Sequence, residues 1–346
     1  MISRQWWSRT GLSLVLVTGA LVGATSQALG EEAETAAAEG GAGECVVNYA
    51  AFGRAAVVAA GLEVPYPNLS GGPYVETELN AIPKAYALGS GAHEGFLGEV
   101  VLGTSGLYPE NPSQAVAHFP PIEGGETKSQ KQSGPFNSSA ESGPGVARAM
   151  AAAFGGGSEA AGLGPSRAEA ATTFTGKILS GRDEVVGYDL RLGDARINML
   201  RSVVEYKTDG TEAGTTGTWK LEFFGIHRAG ASEGAFTGDG IVLQGGGAQP
   251  GPAGREQFNA GVAQLSDALH QAGAGRFELS VQPGRINVAA GDVDARGAGF
   301  FVRAQPEVSN GTTLHAVSLG FGHTERTARL ELGSCDASVE SSGTGA

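Results

Sequence analysis

Through much of the chain after Ala170 every second residue is apolar, and this period restricts the fold more than any other feature of the sequence. Val186, Tyr188, Leu190 and Leu192 alternate with Asp189 and Arg191, and Trp219, Leu221 and Phe223 alternate with Lys220 and Glu222. Successive side chains of a strand point to opposite faces, so the alternation predicts strands with one buried and one wet face. The pattern recurs in Phe277, Leu279 and Val281, in Phe300 and Val302, in Val317, Leu319 and Phe321, and in Ala328, Leu330 and Leu332. Gly181-Arg182, Gly193-Asp194, Asp209-Gly210, Gly238-Asp239-Gly240, Pro283-Gly284 and Asn310-Gly311 read as the turns between such strands. Strands joined by short turns predict an antiparallel meander.

One stretch follows a different period. Between Arg255 and Gly273, Phe258, Val262, Leu265 and Leu269 fall at i, i+4, i+7 and i+11, while Glu256, Gln264, Asp267 and Gln271 take other faces. That is a single apolar stripe on a helix, stopped by Gly273 and Gly275. A lone amphipathic helix among strands covers one face of a sheet. The expected fold class is therefore α+β, predominantly antiparallel β, with one helix over about residues 255–273 packed on the sheet. The four stripe residues are either a core face or the wall of an apolar-ligand site.

Elsewhere the chain divides by composition. Residues 1–28 read as a secretory signal peptide: Arg4 and Arg9, then the apolar run Gly11 to Ala24, then small residues at Ser26 and Ala28. No transmembrane segment is expected after cleavage. Residues 29–44 read as an acidic, disordered leader and 336–346 as a disordered tail. Residues 45–121 are expected as an N-terminal β region, in which Val75, Thr77 and Leu79 alternate with Glu76 and Glu78 among scattered prolines. Residues 122–169 are rich in Gly, Ser and Ala and are expected as loop or linker, with Val146 to Phe154 open between strand and helix. Residues 170–335 are the C-terminal β region that carries the helix.

Removing residues 1–28 takes away two positive charges and no negative one, so the formal charge goes from −13 to −15. Such a surface repels phosphate backbones, which argues against a nucleic-acid partner. The two cysteines, Cys45 and Cys335, stand near the two ends of the folded region. In an oxidising compartment they are expected to pair.

Motifs for chemistry are sparse. The six histidines are scattered, with no H-x-x-H or H-E-x-x-H, and the tightest group is His315, His323 and Glu325 around a hairpin expected at Gly320-Phe321-Gly322. His93-Glu94 lies in a Gly-rich turn, Gly103-Thr104-Ser105-Gly106 misses the spacing of a nucleophile elbow, and Ser138-Ser139 falls in the polar stretch. The clusters at 155–157 and 245–247 lack the G-K-[ST] ending of a phosphate loop. No catalytic residue, metal or cofactor is expected.

The export signal, the Ala- and Gly-rich leader, Gly106-Leu107-Tyr108-Pro109 in a Pro-punctuated first half, the meander, and Val262 to Gly273 followed by further strands resemble a loose group of exported proteins from high-GC actinobacteria. That resemblance implies an exported, β-rich protein and brings no activity, cofactor or site residue. The function expected is that of a non-enzymatic secreted or cell-envelope protein that binds an apolar ligand or a surface component. An exported hydrolase with a site assembled only by the fold, and a structural surface protein, are the alternatives.

Overall fold

The computed structural model describes residues 44–62, 69–70, 72–82, 84–91, 113–122, 124–157, 161–232, 234–246, 252–275, 277–304, 308–309, 312–313 and 317–334. Among these, the strands form two large antiparallel sheets. Sheet I contains β1 (Glu44–Leu62), β2 (Leu69–Ser70), β3 (Tyr74–Asn80), β4 (Lys84–Ser90), β5 (Gln114–Phe119), β17 (Phe277–Gln282), β18 (Arg285–Ala289), β19 (Asp292–Arg296), β20 (Gly299–Ala304) and β23 (Val317–Ser334). Sheet II contains β6 (Lys128–Ser133), β7 (Phe136–Gly143), β8 (Val146–Ala153), β9 (Gly156–Gly157), β10 (Ala161–Leu163), β11 (Ser166–Phe174), β12 (Leu179–Leu192), β13 (Ala195–Thr208), β14 (Thr216–Arg228), β15 (Phe236–Gly238) and β16 (Ile241–Gly246). A separate small ribbon pairs β21 (Val308–Ser309) with β22 (Thr312–Thr313). The helix, α1, runs Pro252–Ala272.

Sheet II is an up-and-down succession, β6 through β8 and then β11 through β14, each strand beside its sequence neighbour. Sheet I is assembled from both ends of the chain: β1 lies between β3 and β23, and residues 44–62 pair with 334–317 along nearly their whole length. The regions 45–121 and 170–335 therefore share one sheet. The two sheets face one another, with β1, β3 and β4 over β8, β11 and β12, and β23 over β12 and β13.

The interior changes character across the sheets. Near β14 and α1 it is filled by large side chains, among them Leu200, Leu221, Phe223, Ile226 and Phe300, and Phe223 meets Phe300 edge-on at 5.3 Å between centroids. Beneath β4, β5, β7 and β8 it is built of alanine: Ala85, Ala87, Ala115, Ala117, Ala147 and Ala151 are fully or almost fully buried. A buried methyl contributes about 0.8 kcal/mol, against roughly 1.5–3 for a large apolar side chain. The alanine half therefore gains less per residue and depends on close approach. A Cβ placed on Gly89 would lie 2.5 Å from the Met150 carbonyl and 2.9 Å from that of Ser139, so a strand of one sheet touches the backbone of the other.

Three expectations are corrected. Residues 122–169 are not a loop or linker but carry β6 through β10 and the start of β11, and Val146 to Phe154, open between strand and helix in the sequence, is strand over Val146–Ala153; alanine and serine on the inner face give these strands no large-apolar alternation. Gly181-Arg182 is no turn but lies inside β12, where the missing side chain makes room for a residue of the facing sheet. Gly320-Phe321-Gly322 is no hairpin but lies inside β23. Gly322 has φ +81° at the place where β23 stops pairing with β20 and starts pairing with β19, a backbone conformation glycine adopts without strain. Asn310-Gly311, His93-Glu94, 103–106, His315 and Cys335 lie outside the described residues.

Candidate functional site

The interface of the sheets holds a polar centre. Thr77, Gly53, Arg326 and Ala295 stand side by side in register on sheet I, and Thr172, Gly181, Tyr206 and Gly217 on sheet II. Arg326 shares the inward parity of Ala328 and Leu330 and is completely buried. Its guanidinium occupies a slot whose walls are Gly53 and Gly181: a Cβ on Gly53 would stand 2.7 Å from Arg326 Cζ. Nη2 donates to Asp183 Oδ1 at 2.5 Å and to the Arg182 carbonyl at 2.7 Å, while Nη1 donates to Thr172 Oγ1 at 2.9 Å. The Thr172 hydroxyl also meets that of Thr77 at 3.0 Å. Burial pushes the Asp183 carboxyl up to about 7, with Arg326 pulling it down. This centre is sealed from solvent and links the sheets. It has no opening through which a substrate could reach it, since both ionic side chains are 0% exposed.

The outer face of sheet I is a different environment. Tyr74 donates to Glu76 at 2.6 Å, and Glu325 accepts from Arg54 at 2.5 Å and from Arg296 at 3.0 Å. Burial by itself would raise Glu325, but the charge and hydrogen bond of Arg54, helped by Arg296, hold its carboxyl below the ordinary value. His323 Nε2 stands 4.0 Å from Glu325 Oε2, beyond hydrogen-bond reach. Beside this cluster lies a groove of about 620 Å³, within the roughly 300–1,000 Å³ range of ligand sites. Register aligns Glu78, Phe52, Thr327, Asp294 and Asn287 on neighbouring strands across it, and the next outward row is Asn80, Ala50, Arg329, Asp292 and Ala289. Phe52 is half-buried with Ala50 one row away, so the apolar patch lies on β1, while the middle strand β23 carries Thr327 and Arg329 and carboxylates and amides stand on β3, β19 and β18. Arg329 Nε is held at 2.7 Å from Glu331 and 3.8 Å from Asp292.

The residues singled out by sequence fall elsewhere. On α1, Leu265 and Leu269 are buried in the hydrophobic core with Ala268 and Ala272, and Phe258 and Val262 are half-buried against it. Phe258 meets the Trp219 ring edge-on at 6.0 Å, and the Thr237 hydroxyl donates to the Ala268 carbonyl at 2.8 Å. The groove is lined by no residue of α1. Among the described residues no helix is long and apolar enough to cross a membrane, and no group of three His, Cys, Asp or Glu converges as metal ligands would. Ser138 is buried in β7, and its hydroxyl donates to the Ser113 carbonyl at 2.6 Å. Cys45 lies opposite Gly333 on β23, two residues before Cys335 in the sequence. None of the groove residues was read as a site residue from the sequence, where Glu78, Leu79 and Ala328 entered only as strand positions; the outward parity of Phe52 beside buried Ala51 and Gly53 is the local signal that marks it.

Comparison with known proteins finds no family model, no curated protein and no solved structure that matches the chain.

Proposed function

We propose that this chain is an exported, non-enzymatic protein of the cell envelope or extracellular space that binds a surface component in the groove on the outer face of sheet I. The observation that carries the reading is the groove itself, about 620 Å³, lined by the Phe52 ring and by carboxylates and amides on the neighbouring strands. Such a combination supplies apolar contact and orienting hydrogen bonds in one place. The same groove favours a polar surface component over an apolar ligand held beneath α1, because Leu265 and Leu269 are already packed into the core. On this reading the helix packed on sheet II is a core element that completes the large-residue end of the interior.

Expression of the full chain with its first 28 residues, followed by fractionation and N-terminal sequencing, is expected to give an extracellular or envelope protein beginning at Leu29. The processed protein is expected to sediment with isolated cell envelopes, and Phe52→Ala is expected to weaken that association while Leu269→Ala lowers stability without a specific effect on binding. An unprocessed cytoplasmic product, or envelope binding indifferent to Phe52, would remove the proposal.

A further inference from the structure

The shape and chemistry of the groove indicate what it holds. It crosses five adjacent strands, β3, β1, β23, β19 and β18, which at the usual strand spacing is about 19 Å. That is a trough for an extended chain rather than a pit for a compact molecule. Its polar groups are mostly acceptors: Glu78, Asp292 and Asp294 accept only when ionised, and Asn80 and Asn287 each add a carbonyl oxygen, while the Asn287 amide nitrogen is turned to Asp294 at 3.4 Å and the Thr327 hydroxyl can both donate and accept. The one cation among them, Arg329, is engaged by Glu331 and Asp292. The ligand must therefore bring donors, and bring them at intervals along its length.

Two classes of donor-rich ligand fit that description, and the spacing decides between them. An ammonium or guanidinium group is best held by carboxylates that converge on it; Asp292, two residues from Asp294 on the same face, already stands 3.8 Å from Arg329, and the remaining two, Glu78 and Asp294, are three strands apart, about 14 Å. They cannot close on one charge. A hydroxyl-rich chain makes no such demand, since each unit donates to the acceptor beside it and lays its C–H face on an apolar surface, here Phe52 with Ala50 two residues before it on β1. Resting on the reading of the groove as a binding site, we propose that it holds an extended, uncharged, hydroxyl-rich polymer: a polysaccharide strand.

The test uses the full processed protein, retained on cellulose, xylan, mannan and α-glucan columns, with poly-L-lysine as the cationic comparison. Retention on at least one neutral polysaccharide is expected, nearly unchanged when salt is raised from low to molar concentration. Phe52→Ala and Asp294→Ala are each expected to weaken it tenfold or more. Both side chains are on the outer face, and unchanged thermal midpoints will show that the variants fold; Asn287→Ala, at the far end of the same row, is the second probe should Phe52→Ala be destabilised. Retention on none of the neutral polymers overturns the saccharide assignment, as does retention only on poly-L-lysine that salt abolishes. If envelope binding still depends on Phe52 in either case, the groove remains a binding site and only its ligand class has been misjudged. Polysaccharide retention that none of the three substitutions affects also overturns the assignment, since the strand would then lie elsewhere.

Discussion

Asp183 and Arg326 meet across the interface of the two sheets, Oδ1 to Nη2 at 2.5 Å, with neither side chain exposed to solvent. Two charges withdrawn from water are costly, and their mutual attraction offsets that cost only where the geometry is good. Here Arg326 Nη1 and Nη2 reach Thr172 and the Arg182 carbonyl as well as Asp183, while Asp183 Oδ2 and Arg326 Nε find no partner among the described residues. The pair thus fixes the relative position of the sheets more than it stabilises them.

Replacing Arg326 by Met removes the charge that pulls the Asp183 carboxyl down, so a fully buried carboxyl must either take up a proton or stay ionised without a counter-charge. At about pH 8 the loss of stability is expected to be about 3–5 kcal/mol in urea denaturation. The double variant Arg326→Met with Asp183→Leu is expected to lose less than the single one. Additive losses would show that the pair is not coupled.

Gly53 and Gly181 flank the guanidinium, and a methyl on either would press into it. Gly53→Ala and Gly181→Ala are each expected to cost about 1–3 kcal/mol, the range for overpacking a core. In an Arg326→Met background the cost is expected to shrink, measurable as a smaller shift of the denaturation midpoint.

Stability is expected to fall on both sides of a mildly acidic optimum. For Glu184, burial acts upward, but bonds from Arg201 and Arg182 hold its carboxyl below the ordinary value, as Arg54 does for Glu325. Groups depressed in the folded state stabilise it above their unfolded pKa and lose that effect as pH falls through the folded one. Asp183 has the opposite sign: raised to about 7, it favours folding below its unfolded pKa and ceases to as pH rises through the folded value. Asp183→Asn is expected to abolish the neutral-side slope in a plot of urea midpoint against pH while leaving the acid-side slope. A wild-type profile flat through neutrality would contradict this.

Cys45 and Cys335 are expected to be joined under oxidising conditions, since the β1–β23 register carries the chain from Gly333, opposite Cys45, to within two residues of its partner. Non-reducing peptide mapping should recover one linked pair of peptides. Recovery of both thiols alkylated would refute it.

Much of the architecture was legible in local sequence because burial on one face imposes a period that any reader can count. The strands around Trp219–Phe223 and Ala328–Leu332 and the helical stripe from Phe258 to Leu269 were found in this way; around Val186–Leu192 the strand is present, but Tyr188, read on the buried face, is exposed. The period fails where inward positions are small. In β7 and β8 the buried residues include Ser138, Ala140, Ala147, Ala149 and Ala151, which look like a polar, flexible stretch until a second sheet is laid on them. Gly181 misleads for the same reason, since inside β12 it provides space for Arg326 rather than a bend. Arg326 shares the inward parity of Ala328 and Leu330, but as a charged residue there it drew no reading from the sequence, and its partner Asp183 is 143 residues away with no local pattern to join them. The groove was the least legible feature. Phe52, Asp294 and Thr327 become neighbours only through the register of strands drawn from both ends of the chain.

That a first strand is laid against a last one also governs when the molecule can fold. Sheet II is built from neighbours in sequence and can zip up as it emerges, whereas β1, which β3 can cover on one edge early, must leave its other edge open until Val317–Ser334 has been delivered. Contacts between such distant segments form late and slowly. A polypeptide threaded through a translocation channel starting from its amino end would keep one half of its architecture incomplete until nearly all of it had crossed. The finished structure would then exist only on the far side.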